Sequence, residues 1–417
     1  MNIKTKKMLA RFLIAAGFIV AAIFFCMAST LNPWSEKLPH LDSAVWLRCA
    51  VEMKQGKVIY RDVWDHKGPI LFAIQVLGLT ITPHSLNGIW LLECLFCFTT
   101  LWSFYLTASL VSHNKLVCFL AAVCSMHPVY YFFQEGNCVE EWALPLIGFS
   151  LYYFAKYMKT GKLIRRDIFV AGFLMGCSFL LNGNLIAVWI CYALFISVKQ
   201  LWQKQFQEFK CCAIFFISGF LAVSTIVILI LFIQGAFGSF INAYFGFNYG
   251  YVSGVTLESF KHSVLNFVFR DNWLVYSHMI LFFLLVHDRN IKGWLWSAFF
   301  YTGITLILIS VSGRGYVHYG LQLLPCMIIP MAVCIERIRA WCSNFKEFLL
   351  IIIIVGIMVV RFEVLHYEQL IRWTISTKGD NYYAGGDPEN YTIVNEWIGN
   401  RWSEEALKKW VIDESVE

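Results

Sequence analysis

The sequence predicts an all-α, polytopic membrane protein with about eleven spanning helices. Of its 417 residues, 59% are hydrophobic and only 14% are charged, which is far from the composition of a soluble protein. Several apolar runs approach the ~20 residues that a spanning helix needs, and a helix satisfies its own backbone polar groups in lipid. The net charge of +6 lies mainly in short loops between these runs, so it encodes orientation and does not indicate nucleic-acid binding.

The amino terminus predicts the first spanning helix. Lys4, Lys6, Lys7 and Arg11 precede an apolar run that is long for a signal peptide and lacks a clear cleavage site. We therefore expect an uncleaved helix over residues 8–28 with its amino end in the cytoplasm. A cleaved signal peptide is the alternative.

Residues 29–67, called loop one below, follow this helix and are dense in charged and aromatic side chains. Asp42 or Ser43 can cap a short helix that continues to Lys54, and Gly56 can end it. The apolar residues of this helix favour a juxtamembrane position on the outer face.

The apolar run 68–82 is too short for an ordinary spanning helix. As a helix its fifteen residues would rise only about 22 Å, less than the roughly 30 Å of a hydrocarbon core. If it does not cross, every compact Lys and Arg cluster falls on one side of the membrane, whereas a full crossing would turn the basic loops outward. We therefore expect a half helix here. The predicted spans are 8–28, 86–111, 116–133, 142–158, 168–181, 185–198, 211–233, 273–286, 294–310, 319–335 and 348–360.

This topology assigns four segments to the outer face, namely 29–67, 134–141, 235–272 and 312–318. The loop 235–272 contains apolar residues at helical spacing over 256–269, which is typical of an amphipathic helix lying at the interface. Residues 1–363 would form one transmembrane module. Residues 364–417 would form a polar outer-face tail that is too short for a core of its own.

Ionisable and amide side chains collect at helix ends in these outer loops. Loop one contains Asp42 and the charged run from Tyr60 to Pro69, and Glu140 and Glu141 stand just before a predicted span. Ionisable groups at the membrane boundary are costly unless they have partners or solvent, so several of them on one face favour a functional site. Ordinary solvated loop ends are the alternative interpretation.

The order of these motifs resembles the GT-C glycosyltransferases, specifically the branch of the protein O-mannosyltransferases and the lipid A aminoarabinose transferase. An acidic residue, Asp42, follows the first helix, and loop one ends in a Tyr-Arg-Asp to Lys-Gly-Pro run that finishes at Pro69. A second acidic motif follows at 136–141, and a late outer loop ends in His318 and Tyr319. The resemblance covers roughly residues 1–335.

The resemblance implies an inverting glycosyltransferase, hexosyl or pentosyl, that uses a polyprenyl-phosphate sugar on the outer face. Asp42 would be the general base that deprotonates the acceptor, and Lys67 would bind the donor phosphate. Glu140 or Glu141 would supply a second catalytic carboxylate, and the sequence does not distinguish them. Further substrate contacts are expected from Arg61, His66, Asn137, Arg314, His318 and Tyr319.

The expected partners are the polyprenyl-phosphate sugar donor and the lipid bilayer, with no nucleic acid and no cofactor. Asp42 has no acidic neighbour within two residues, so a paired-aspartate metal site is not indicated, although the sequence leaves a divalent metal open. We expect a multi-pass protein of the cell membrane, acting in the cell envelope with its active site on the non-cytoplasmic face. The sugar, the acceptor, the polyprenol length and the oligomeric state are not specified.

A transporter or flippase of a lipid-linked precursor is the alternative function. Such a protein is expected to carry ionisable groups or broken helices near the middle of the membrane. Glu93 is the one clear acidic residue within a predicted span, while the other polar residues gather at one rim. This asymmetry favours chemistry at the membrane surface.

Overall fold

A computed structural model describes residues 3–35, 37–133, 135–252, 254–270, 272–287, 293–342, 344–350, 353, 387–402 and 407. Within these residues the regular structure is helical, apart from one isolated β-bridge between Ile59 and Val63. The predicted all-α class is therefore confirmed.

The helices of the first half are α1 (Ile3–Cys26), α2 (Leu41–Lys54), α3 (Pro69–Ile81), α4 (Asn87–Ala108), α5 (Lys115–Met126), α6 (Val129–Phe132), α7 (Val139–Thr160) and α8 (Arg165–Phe179). Those of the second half are α9 (Ala187–Trp202), α10 (Phe206–Ile233), α11 (Phe237–Phe240), α12 (Asn248–Val252), α13 (Leu257–Arg270), α14 (Asn272–His287), α15 (Ser297–Ser310), α16 (Leu324–Trp341) and α17 (Pro388–Trp397). A π-helix, Ile241–Phe247, joins α11 to α12, and 3₁₀ helices occupy Gly293–Trp296 and Val317–Leu323.

Several helices have the length and composition of membrane spans. Among the described residues, four helical segments are long and apolar enough to cross a bilayer: Met8–Cys26, Asn87–Ala108, Phe206–Ile233 and Val317–Trp341. Shorter apolar helices add to them, including Lys115–Met126 and Ala187–Trp202. The protein is thus a multi-pass helical membrane protein. The number of eleven spans stays a prediction, because most of the predicted span 348–360 lies outside the described residues.

The helix in loop one begins earlier than predicted. α2 starts at Leu41, and its N-cap is His40, whose Nδ1 accepts a hydrogen bond from the Asp42 backbone N–H at 3.4 Å. The prediction that Asp42 or Ser43 caps this helix is therefore wrong. Asp42 lies in the first turn instead, and its carboxylate is not the cap.

α3 and α13 match the helices expected from the sequence. α3 contains 13 residues and so rises about 20 Å; it packs between α2 and α4. α13 covers the amphipathic pattern, with Phe267 buried and Leu257 exposed. That α3 stops within the membrane and that α13 lies at the interface stay predictions.

The described part of the tail packs on α2. Tyr391 and Val394 of α17 are fully buried, and the Tyr391 hydroxyl donates to Pro39 O at 3.3 Å. Arg48 Nη1 donates to Asn390 Oδ1 at 3.2 Å. The division into a module and a tail stays a prediction, but α17 is physically joined to loop one.

Candidate functional site

The end of loop one is held against the end of α8. Gly68 N–H donates to Leu181 O at 2.9 Å, and Ile70 N–H donates to Leu180 O at 3.2 Å. The two backbones approach so closely that a Cβ on Gly68 would overlap Leu180 O, so only glycine fits at this position. Lys67 is therefore fixed beside the loop that follows α8.

Lys67 lines a cavity of about 650 Å³, a volume typical of ligand-binding sites. His66 and Tyr319 also contribute to its wall. The remaining wall is largely aromatic and aliphatic and includes Phe179, Asn184, Tyr244, Phe245, Leu308 and Val311. A single cation against an apolar wall suits a ligand with an anionic head and a hydrocarbon chain.

Asp42 lies in a second, much narrower cleft of about 10 Å³, which is room for about one water molecule. The cleft is lined by His40, Ser43, Trp46, Gly136, Asn137, Cys138 and His318. His318 lines the cleft and the next residue, Tyr319, lines the large cavity, so the walls of the two spaces share this segment.

The structure separates Glu140 from Glu141. Both are buried, with 1% and 4% of their surface exposed, but successive helical residues point about 100° apart. Glu140 lies near His318, whose imidazole is also influenced by the charges of Asp42 and Lys67. Glu141 instead lies near Glu93 on α4. Glu140 is therefore the better placed of the two predicted catalytic carboxylates.

A left-handed turn precedes α7 and brings it towards the cleft. Glu135, Gly136 and Asn137 have φ angles of +69°, +88° and +56°. A Cβ on Gly136 would overlap Ser29 Oγ, so the turn needs glycine there. The Asn137 backbone N–H donates to Glu93 Oε1 at 2.6 Å, which ties the turn to α4.

The Asn137 side chain links three helices. Its Nδ2 donates to Ser43 Oγ at 2.8 Å, and its Oδ1 accepts from Gln75 Nε2 at 2.6 Å and from Trp142 Nε1 at 3.1 Å. Both ends of the amide thus have protein partners. The predicted contact between Asn137 and a sugar stays a prediction, and the contacts that are present hold α2, α3 and α7 together.

The two arginines predicted to contact the substrate line neither the cavity nor the cleft. The exposed Arg61 pairs with Asp62 at 2.8 Å and donates to Gln234 O at 2.8 Å, which joins loop one to the end of α10. Arg314 is also exposed, and its Nη1 donates to Tyr316 Oη at 3.1 Å. Within the described residues, the geometry therefore brings together Asp42, Glu140, Lys67, His66, His318 and Tyr319, but not these arginines.

His66 is a neutral side chain at physiological pH. Burial, followed by the nearby Lys67 charge, lowers the pKa of His66 to about 4, although Asp42 acts in the opposite direction. Its ring packs against Phe247 at 4.9 Å between centroids. His66 can therefore offer a hydrogen bond or ring contact to a ligand, but not a positive charge.

Asp65 was not among the residues predicted for the site. It is buried, and its Oδ1 accepts the Lys67 backbone N–H at 2.7 Å. Burial raises the pKa of Asp65 to about 6, and the Lys67 N–H and ammonium partly oppose this rise. The spacing from Asp65 to Lys67 is that of a side chain that bonds the backbone two residues on, so the sequence did contain a signal for it.

The structure adds no candidate for a metal site. Within the part of the chain it describes, no group of three or more His, Cys, Asp or Glu side chains is arranged to hold a metal ion.

Comparison with solved structures identifies the fold of the chain. No protein-family model matches the chain, and no curated protein is similar to it in sequence. The chain is similar to the crystal structure of ArnT from Cupriavidus metallidurans bound to undecaprenyl phosphate, with 15% identity and a TM-score of 0.58 over 84% of this chain and 64% of that one. The apo structure of the same ArnT gives 14% identity and the same TM-score, over 86% of this chain and 65% of that one. The chain has the GT-C fold.

A second structure has the same fold. AglB, the archaeal oligosaccharyltransferase from Archaeoglobus fulgidus, was solved in complex with an inhibitory peptide and a dolichol-phosphate. It matches with 13% identity and a TM-score of 0.50 over 89% of this chain and 57% of that one. The GT-C resemblance noted in the sequence is thus confirmed for the fold. The chain spans about 64% of the ArnT length, and identities this low establish the fold alone.

Proposed function

We propose that the protein is a glycosyltransferase that moves a sugar from a polyprenyl-phosphate donor to an acceptor hydroxyl on the non-cytoplasmic face of the membrane. The observation that carries this proposal is that Asp42 lines a narrow cleft and Lys67 a large cavity whose walls share the segment His318–Tyr319, and that the charges of Asp42 and Lys67 both act on His318. ArnT bound to undecaprenyl phosphate and AglB with dolichol-phosphate have the same fold, which supports a lipid-phosphate donor.

The large cavity would hold the donor. In the described part of the chain, Lys67 Nζ forms no salt bridge, so its charge is available to a phosphate oxygen. Phe179, Tyr244 and Leu308 offer apolar surface for the first isoprene units. A lysine acts on phosphate as a point charge, so it would stabilise the negative charge that grows on the departing phosphate.

The narrow cleft would receive the acceptor hydroxyl. The Asp42 carboxylate would take the hydroxyl proton while the acceptor oxygen attacks the anomeric carbon from the side opposite the phosphate. A new carbon–oxygen bond forms, the bond from the anomeric carbon to the phosphate oxygen breaks, and polyprenyl phosphate leaves with the electron pair. One displacement inverts the configuration of that carbon. Glu140, near His318, would help to orient the reacting groups.

The outer-face location rests on the charge distribution. With α3 as a half helix, the compact basic loops lie together on the side opposite loop one, as the positive-inside rule requires. A site on the outer face would meet a donor that has already been carried across the membrane.

Transport is less well supported than transfer. Glu93 lies inside the candidate span Asn87–Ala108, where a carboxylate often marks a pathway. However, Glu93 Oε1 accepts the Asn137 backbone N–H, and Glu93 lines neither the cavity nor the cleft. Its contacts fit a structural tie between α4 and the turn before α7.

The experiment that tests the proposal offers radiolabelled undecaprenyl-phosphate hexoses and pentoses to the purified protein. Membrane lipid extracts, hydroxylated peptides and glycans serve as acceptor pools, and both sugar transfer and release of undecaprenyl phosphate are measured. We expect one donor class to be consumed with transfer of its sugar. Movement of a donor across proteoliposome membranes without consumption would contradict the proposal and favour a flippase.

A further inference from the structure

The backbone of Lys67 is held at both of its polar groups. Its N–H donates to Asp65 Oδ1 at 2.7 Å, and its C=O accepts from the Tyr60 hydroxyl at 2.7 Å. Both partners come from loop one, and both are buried. A lysine in a loop ordinarily leaves such groups to solvent, so this arrangement fixes the direction in which the side chain leaves the backbone.

The peptide groups on either side are fixed as well. His66 C=O accepts from Asn248 Nδ2 at 3.0 Å, and Gly68 N–H donates to Leu181 O at 2.9 Å. Every backbone polar group from His66 C=O to Gly68 N–H therefore has a partner, and the partners come from three separate parts of the chain. The side chain of Lys67 is the part of this residue that remains available to a ligand.

Asp65 differs from the other carboxylate of this turn. Asp62 is exposed, pairs with Arg61 and accepts the Val58 N–H at 2.8 Å. Asp65 is 4% exposed and, within the described residues, forms no salt bridge. Burying a carboxylate costs free energy unless the group has specific partners, and Asp65 Oδ1 accepts its hydrogen bond from the Lys67 backbone. Asp65 lines neither the cavity nor the cleft.

We propose that Asp65, together with Tyr60, is a positioning residue that aims the Lys67 ammonium into the large cavity. This inference rests on the proposed function of Lys67 as the ligand of the donor phosphate. Asp65 acts through Lys67 and does not touch the substrate. Preorganised supports of this kind are what a charge needs to act at a fixed point.

The test measures donor KM and kcat separately for Asp65→Ala and Asp65→Asn, using the labelled donor that the wild type consumes. Asp65→Ala removes the acceptor of the Lys67 N–H, and we expect donor KM to rise about tenfold, the effect of losing one good hydrogen bond, with a smaller change in kcat. Asp65→Asn keeps a side-chain oxygen at the same place, so donor KM should not rise, and loss of the negative charge should lower it by at most about threefold. Tyr60→Phe removes only the hydroxyl and should raise donor KM about threefold.

Asp62→Ala is the matched control, because it removes a carboxylate from the same turn without touching Lys67, and donor KM should not change. Thermal melting of each variant reports whether it folds. If Asp65→Ala does not fold, the donor KM of Tyr60→Phe serves as the test. Equal donor KM for Asp65→Ala and the wild type, or equal increases for Ala and Asn, would overturn the proposal. A fall in kcat for Asp65→Asn at constant donor KM would instead indicate that Asp65 takes part in the chemical step.

Failure of the proposed function is distinguishable from failure of this inference. If the wild type consumes no donor, the function is wrong, and binding of undecaprenyl phosphate to the purified proteins becomes the readout. Wild-type binding that Asp65→Ala weakens and Asp65→Asn retains would then support the positioning role alone. Identical binding of undecaprenyl phosphate by all three proteins would contradict the positioning role of Asp65.

Discussion

The cavity beside Lys67 and the cleft beside Asp42 differ in size and in the way their walls are held. The cavity has about 650 Å³ and the cleft about 10 Å³. Around Lys67 the fixed groups are mainly backbone, bonded to Asn248 and Leu181. Around Asp42 the wall includes Asn137, which is held through its side chain. Because the cleft has room for only about one water molecule, we infer a preformed donor site and an acceptor site that must widen for its ligand.

The largest loss of activity should follow a substitution of Asp42 in the cleft. Asp42→Asn keeps the size of the side chain but removes the base, and we expect kcat to fall about 10²–10⁴-fold, the usual contribution of a general base. Donor binding should change little, because Asp42 does not line the cavity. Steady-state kinetics and donor titration measure the two quantities, and full turnover by Asp42→Asn would remove the assignment of the base.

The next largest loss of activity should follow a substitution of Lys67 in the cavity. Lys67→Ala removes the cation from the donor site, and we expect kcat/KM to fall about 10–100-fold, since a hydrogen bond to a charged group contributes about 1.5–3 kcal/mol. Donor KM should carry part of the loss, in contrast to Asp42→Asn. Arg61→Ala serves as the control, because Arg61 is a nearby cation that lines neither space, and its donor KM should stay as in the wild type.

A smaller effect should distinguish the two carboxylates of α7. Glu140→Gln should lower kcat about tenfold, which corresponds to about 1.4 kcal/mol in the barrier, because Glu140 lies near His318. Glu141→Gln should leave kcat unchanged, because Glu141 lies on the side of Glu93. The two variants are matched in chemistry and in burial. A lower kcat for Glu141→Gln than for Glu140→Gln would contradict the choice of Glu140 and favour Glu141.

The smallest effect should be a change of donor affinity with pH. The pKa of Asp65 is about 6, so its negative charge is present above pH 6 and is lost below it, while His66 stays neutral down to about pH 4. The donor phosphodiester keeps its charge throughout this range. Loss of a nearby negative charge should strengthen donor binding about two- to threefold, consistent with a screened interaction of about 0.5 kcal/mol. Donor titrations at pH 5 and 7.5 measure it, and Asp65→Asn should abolish the difference.

The sequence predicted the elements that depend on local pattern. The helix after residue 40, the short helix α3 and the amphipathic helix α13 all follow from hydrophobic periodicity and turn residues. Asp42 and Lys67, the two residues of loop one to which the sequence analysis gave the main roles, each line a cavity or cleft, and those roles stay predictions. These features are encoded within a few residues of where they appear.

The remaining features depend on contacts between distant parts of the chain. The left-handed conformations of Glu135 and Asn137 are unusual for residues other than glycine, and they are stabilised by bonds to Thr30 and Glu93. The π-helix Ile241–Phe247 has no local sequence signal, although such helices often accompany functional sites. For the same reason the sequence alone could not choose between Glu140 and Glu141.

The seating of α17 on α2 has a consequence for how the protein matures. Tyr391 bonds to Pro39 O, and the next residue, His40, lines the cleft. The residue that precedes this wall is thus held by a segment that the ribosome makes about 350 residues later. Until that segment has been synthesised and has reached loop one, a nascent chain already inserted in the bilayer lacks this support for the start of α2.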